Sequence, residues 1–119
     1  MKYMTAAQAV QLIESGDSIY IQGSTSVPEV LSQALADRGN ELKDVTVYAA
    51  FAVGRCEAPY CKPEYKDAFN VKSLFVANNV RRWLADGYGS TIPAFLGEIP
   101  GLFRDGTLPV DAVFLNVSP

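Results

Sequence analysis

The stretch from Ile19 to Leu35 restricts the fold more than any other part of the chain. It opens with Ile19-Tyr20-Ile21-Gln22, passes through Gly23-Ser24-Thr25-Ser26-Val27, and continues as Pro28-Glu29-Val30-Leu31. β-Branched and aromatic residues suit the first part to a strand. Pro28 suits the first turn of a helix, where its fixed φ fits and its missing N–H is not needed. Ser26 is placed to accept a bond from an orphan N–H of that turn. A strand, a glycine loop and a helix start gather backbone donors at one point, which is one way of holding an anion.

The flanking segments extend this unit into a layered domain. Thr5 to Ser15 reads as a helix with Thr5 as its N-cap, Ala6, Ala9, Val10 and Ile13 on one face, and Gly16 ending it. The helix from Pro28 to about Arg38 should bury Val30, Leu31, Ala34 and Leu35 and stop at Gly39-Asn40. Val45 to Phe51 is an unbroken run, Val-Thr-Val-Tyr-Ala-Ala-Phe, as expected of a strand covered on both faces of a parallel sheet. From Val53 to Asn70, Gly54, Pro59 and Pro63 interrupt any long element, leaving a surface excursion with a short helical turn between Pro63 and Phe69.

Ser73 to Ala77 is the third strand candidate. A helix follows over Val80 to Asp86, capped by Asn78 or Asn79 and ended by Gly87. Tyr88 to Thr107 should hold one or two short helices, and Val110 to Val117 reads as the fourth strand. The alternation predicts a single α/β domain over residues 1–119, an open, mainly parallel sheet with helices on both faces.

Composition excludes several functions. At 119 residues the chain is one domain and can bury roughly two thirds of its unfolded surface. A net charge of -3 argues against nucleic acid and anionic membranes, which need a basic face. No apolar run approaches a membrane span, and Met1-Lys2-Tyr3-Met4 lacks a secretory apolar region, so a cytoplasmic protein is expected. The chain has no histidine, which removes any Ser-His-Asp or Cys-His site. Two cysteines, Cys56 and Cys61, without histidine or a second pair make zinc an unsuitable guest. Reduced, non-catalytic thiols are expected, and no metal site.

Ligands of open parallel sheets bind beyond the carboxyl ends of the strands. The residues expected there are Gly23, Ser24 and Thr25; Ala52, Val53 and Gly54; Asn78, Asn79 and Arg81; and Asn116, Ser118 and Pro119. This rim is small, polar and nearly uncharged. It can hold a carboxylate, thioester or phosphate by hydrogen bonds, but it supplies no histidine base and no carboxylate pair. Gly23-Ser24-Thr25-Ser26 lacks the Gly-Lys-Ser/Thr ending of a Walker loop and the GxGxxG spacing of a dinucleotide fingerprint. Trp83 reads as core and Glu98 as a surface residue. The last apolar strand has no covering helix after it, as expected of the first part of a longer protein.

An ordered series of residues resembles the N-terminal part of the acetyl-CoA hydrolase/transferase family. It includes Ala9-Val10, Ile13, Ser15-Gly16-Asp17, Pro28, Leu31 and Ala34-Leu35. It continues through Val45-Thr46-Val47, Gly54, Lys62-Pro63-Glu64-Tyr65-Lys66, Phe69, Phe75, Arg81 and Gly87. Pro93, Phe95, Glu98-Ile99-Pro100, Leu102, Val110-Asp111 and Val117-Ser118-Pro119 complete it. The series is most similar to the branch of 4-hydroxybutyrate, butyryl and acetate CoA-transferases. The resemblance implies two similar α/β halves, with coenzyme A as substrate rather than as a tightly bound cofactor. It also implies a homo-oligomer and a ping-pong transfer between an acyl-CoA and a small carboxylate. A glutamate of the C-terminal half would attack the thioester and become a glutamyl-CoA thioester.

By that resemblance no catalytic residue lies within these 119 positions, and Glu98 does not carry the nucleophile's role. The chain contributes a wall of the substrate pocket, for which Gly23, Ser24, Ala52, Val53, Gly54, Asn78 and Asn79 are the candidates. Members of the branch often carry a histidine near the end of the second strand. Tyr48-Ala49-Ala50-Phe51 has none, and Phe51 with Ala52 would form an apolar wall suited to a short aliphatic acyl group. The alternative is a free-standing α/β module without catalysis that binds a small anion at the Gly23 loop or docks a partner.

Overall fold

The computed structural model describes residues 3–50 and 58–118. Its elements run in the order α1 (Ala6–Val10), β1 (Ser18–Ile21), α2 (Glu29–Ala36), β2 (Val45–Ala49), a single 3₁₀ turn (Pro63–Tyr65), β3 (Phe69–Ser73), α3 (Asn78–Ala85), β4 (Gly89–Thr91), α4 (Ile99–Arg104) and β5 (Ala112–Phe114). The strands form one sheet in the order β4-β3-β2-β1-β5. Every pairing is parallel, with Ile21 beside Ala49 and Phe114, and Ala49 beside Ser73, which stands beside Thr91. All five carboxyl ends therefore lie along one edge. The open parallel α/β fold read from the alternation is the fold found.

Two strand assignments are corrected. The third strand is Phe69–Ser73, not Ser73–Ala77. Phe69, Val71 and Ser73 point into the core while Asn70 is exposed and Lys72 half-buried, so the strand alternates. The apolar run Leu74-Phe75-Val76-Ala77 is the loop after it. Apolar continuity misled because this strand keeps polar groups on its second face, whereas β2 is buried on both. The short edge strand β4 had no apolar signal at all. Its Gly89 lies so close to β3 that a Cβ would stand 2.6 Å from the Val71 carbonyl oxygen. The strand expected over Val110–Val117 is confined to Ala112–Phe114.

The helices show how burial overrides propensity. In α1, Thr5 and Gln8 form a reciprocal capping box, as Thr5 Oγ1 accepts from the Gln8 N–H at 3.2 Å and Gln8 Oε1 from the Thr5 N–H at 3.0 Å. The helix is shorter than Thr5–Ser15, yet Val10 and Ile13 are buried and Gly16 takes a positive φ of 91°. In α2 the buried residues are Ser32, Leu35 and Ala36, while Val30, expected inside, is 74% exposed. No side chain caps α2, and Pro28 itself is the N-cap, so Ser26 does not serve there. Nor do Asn78 or Asn79 cap α3, whose N-cap is Ala77; Gly87 follows with φ 81°.

One hydrophobic cluster joins Ile19, Ile21, Val45, Val47, Phe69 and Val71 of the sheet to Val10, Ile13, Leu35, Val80 and Trp83. Thus α1, α2 and α3 share one face. The second cluster joins Tyr48 and Tyr20 to Leu74, Ile92, Ile99, Leu102, Phe103 and Leu108 and places α4 on the other face. The topology requires this. The chain steps outward from β1 to β4, then returns to β5 beside β1. With one crossover hand, reversing direction moves the connecting helix to the opposite face.

Local contacts tie these layers. Arg38 Nη1 donates to the Ile13 carbonyl at 2.8 Å and also to the Val10 carbonyl, closing the end of α1. Tyr65, from the Lys62-Pro63-Glu64-Tyr65 turn, packs against Gly39, where a Cβ would collide with its ring. It also meets Phe69 edge-on, with ring centroids 6.1 Å apart.

Candidate functional site

The carboxyl edge opens on the α4 face as a cleft of about 530 Å³. Its end nearest β1 is lined by Tyr20, Gln22, Gly23 and Ser24, and Ala50 continues the wall from β2. Leu74 and Phe75 come from the loop after β3, and Ala94, Leu96 and Ile99 from the segment between β4 and α4.

Each part is held in place for a local reason. Gln22 extends β1 past its last ladder residue: its N–H donates to the Phe114 carbonyl at 3.0 Å, and its Oε1 accepts from the Asn116 N–H at 2.7 Å. Ser24 turns the chain away with a positive φ of 61°, in the left-handed region. Leu74 remains in register through its N–H to the Ala49 carbonyl at 2.9 Å. Ser73 Oγ donates to the Phe75 carbonyl at 2.8 Å, which fixes the turn that presents Phe75.

Aromatic packing holds Tyr20 in place. Phe103 of α4 stands edge-on to Tyr20 and to Tyr48, at centroid distances of 5.4 and 5.5 Å. Burial raises the Tyr48 pKa above its ordinary value; a bond from Ser18 works against this and the nearby Asp111 adds to it. Tyr48 is therefore a neutral packing group throughout the physiological range.

Glu98 has a structural task. Its Oε2 accepts from the Phe95 N–H at 3.0 Å, and its own N–H donates to the Phe95 carbonyl at 2.9 Å. These bonds close the turn that carries Phe95 and Leu96, which are 81% and 85% exposed. A carboxylate engaged in this way shapes the rim, in keeping with the surface role read from sequence.

Of the predicted wall residues, Gly23 and Ser24 line the cleft together. Ala52, Val53 and Gly54 lie outside the described residues, as does Phe51. Asn78 is exposed at the first turn of α3, on the face of the sheet opposite α4, and Asn79 is the second residue of that helix. Arg81 is exposed on α3. Tyr20, Gln22, Ala50, Leu74, Phe75, Ala94, Leu96 and Ile99 were missed. The alternation of Phe69–Ser73 could have freed Leu74 and Phe75 for the site, and Tyr20, Gln22 and Ala50 lie at the carboxyl ends of β1 and β2, beside positions already named; nothing local marks Ala94, Leu96 and Ile99, because the return crossover brings them.

The described residues contain no group of three or more His, Cys, Asp or Glu able to hold a metal. Cys61 carries a free thiol, and burial pushes it up to about 12, so it stays protonated and unreactive near neutrality. Cys56 is outside the described residues. Among those residues no helix is long and apolar enough to cross a membrane.

An open parallel sheet with a cleft beyond its carboxyl ends, lined by backbone, amide and apolar groups, gives an α/β domain with room for a small molecule and, among the described lining residues, no strong acid or base. The comparisons make this specific. The chain matches the family model described as acetyl-CoA hydrolase/transferase N-terminal domain over residues 1–119, and it belongs to that family.

It is 29% identical over 109 residues to a succinyl-CoA:acetate/propanoyl-CoA:succinate CoA transferase of Fasciola hepatica, covering 90% of this chain and 22% of that protein. It is 27% identical to a butyryl-CoA:acetate CoA-transferase of Anaerostipes caccae, covering 99% of this chain and 26% of that one. The chain thus spans about a quarter of the length of the curated relatives it matches. Among solved structures, RipA from Yersinia pestis superposes with a TM-score of 0.84 at 25% identity, over 98% of this chain and 29% of that one. The 4-hydroxybutyrate CoA-transferase of Porphyromonas gingivalis shares the fold, with a TM-score of 0.69 at 21% identity over 94% of this chain and 24% of its own.

Proposed function

We propose that these 119 residues form the N-terminal domain of a two-domain, cytoplasmic, homo-oligomeric CoA-transferase, which moves coenzyme A between a short-chain acyl-CoA and a small carboxylic acid. The family match carries this reading: the N-terminal-domain model spans residues 1–119, and the relatives named above are CoA transferases of short acyl groups. The cleft supports it, because backbone N–H groups and a carboxamide can orient a thioester without hydrolysing it.

A glutamate carboxylate outside these 119 positions attacks the thioester carbonyl and expels CoA thiolate, leaving an acyl-glutamyl anhydride. The thiolate attacks the glutamyl carbonyl, releasing the first carboxylate and leaving a glutamyl-CoA thioester. The acceptor carboxylate repeats the two steps in reverse and leaves as the new acyl-CoA, so no redox partner is needed. The groups of this domain orient and partly dehydrate the acyl end. Among its described titratable groups only the Tyr20 phenol lines the cleft, and coenzyme A passes through as substrate.

The test is an assay of the full-length gene product with acetyl-CoA or butyryl-CoA and a panel of carboxylates, followed by borohydride trapping of the loaded protein. The expected result is exchange with ping-pong kinetics and a reduced glutamyl residue outside positions 1–119. A label inside those positions, or no exchange with any acyl-CoA, would end this reading.

A further inference from the structure

Two large apolar side chains, Phe95 and Leu96, stand side by side in water at the mouth of the cleft. Their turn is pinned rather than loose. Glu98 closes it with its carboxylate on the Phe95 N–H and its own N–H on the Phe95 carbonyl. The helix that follows is anchored in turn, because Ile99, Leu102 and Phe103 pack into the cluster around Tyr48. Leu96 lines the cleft, and so does Phe75, more than half exposed on the loop after β3.

Holding an aromatic and an aliphatic group rigidly in water gains this domain nothing by itself; such a pair marks an interaction surface. A pre-ordered apolar pair loses little conformational freedom on docking, as an interface anchor requires. The relatives named above are about four times as long as this chain. The glutamate invoked under the transferase reading must reach the cleft from outside positions 1–119, so the polypeptide carrying it has to sit against this mouth.

We propose that the Phe95–Leu96 turn is the docking anchor for the C-terminal part of the same polypeptide, which seats an apolar socket on it and so brings its glutamate over the cleft. The inference rests on the transferase reading and deepens it by naming the contact that assembles the site. The occupant is the same chain rather than a second copy, because a tethered segment is present at an effective concentration on the order of 1 mM. Glu98 is a positioning residue: it acts through the turn it closes.

The test uses the full-length protein carrying the photoreactive substitution Phe95→p-benzoylphenylalanine. Light should attach it to a peptide outside positions 1–119 of its own polypeptide, with no cross-chain product when isotopically heavy and light subunits are mixed. Attachment to a second copy, attachment only within positions 1–119, or no attachment would each overturn the inference. Acyl exchange measured on the unsubstituted protein reports the transferase reading separately, so the two can fail apart. Phe95→Ser should lower kcat by about 10-fold or more while KM for the acyl-CoA moves less, since Phe95 is an anchor at the mouth. A kcat within about twofold of the parent would overturn the inference. Glu98→Ala in the photoreactive protein should cut the crosslink yield, and Glu98→Gln should recover most of it, because the amide oxygen accepts the same bond. Equal yields in all three would remove Glu98 from the proposal.

Discussion

Arg38 offers the sharpest test of what holds the helical layer together. Its guanidinium reaches back from the end of α2 to two carbonyls at the end of α1, those of Val10 and Ile13. Its side chain is only 14% exposed, and it also pairs with Glu41 at 3.1 Å. Arg38→Ala would remove two bonds made by a charged donor and leave both acceptors part-buried. Such bonds contribute about 1.5–3 kcal/mol each when fully buried. Partial access of water lowers this, for a summed loss of about 2–4 kcal/mol from a domain stability on the order of 5–15 kcal/mol.

Urea unfolding of the 119-residue chain, followed by Trp83 fluorescence and circular dichroism, reads that loss. With m near 2 kcal/mol/M, the midpoint should fall by about 1–2 M at constant m. Arg38→Lys should recover roughly half, because an ammonium is a point donor that lacks the guanidinium fork. Glu41→Ala should cost less than about 1 kcal/mol, since its carboxylate is mostly in water. If Arg38→Ala and Glu41→Ala proved equal within about 0.5 kcal/mol, the role given to the two carbonyls would be wrong.

Other consequences follow from the same contacts. Gly39→Ala should destabilise by about 1–3 kcal/mol through collision with the Tyr65 ring, and Tyr65→Leu in the same chain should restore part of it; thermal melts of the three proteins check this. Cys61 keeps its proton in the fold up to about 12, whereas the unfolded thiol ionises near 9, so stability should be flat below pH 9 and fall between 9 and 12. The slope can reach about 1.4 kcal/mol per pH unit, and Cys61→Ala should remove it. Native Cys61 should also resist iodoacetamide at pH 8 and react once the chain is unfolded in urea. Asp105 is held below its ordinary pKa by its bonds to Thr107, so an NMR titration should place its midpoint under that of an isolated aspartate. Thr107→Val should return it only partway, because the backbone N–H bond at 2.9 Å remains.

The local chemistry of the chain settled a good deal. Val45 to Ala49 is apolar on both sides because β2 is covered on both sides, and the run is legible for that reason. Thr5, Gly16 and Gly87 mark their boundaries because each answers a local backbone need, a donor to satisfy or a positive φ to occupy. Alternating strands and helices were enough for an open parallel sheet, and so for a ligand edge at the carboxyl ends; Gly23 and Ser24 stand there because a strand must turn where its ladder stops.

Packing decided the rest. Val30 is outside and Ser32 inside because the sheet, not the helix, chose which stripe of α2 to bury. The strand Gly89–Thr91 exists because β3 offered a free edge, and three small polar residues were sufficient to pair with it. Ala94, Leu96 and Ile99 face Tyr20 across one cleft only because the chain reverses direction and its last crossover falls on the other side of the sheet. A periodicity spanning a few residues records which groups avoid water; which distant groups they then meet depends on strand order and crossover hand, properties that arise when the layers close.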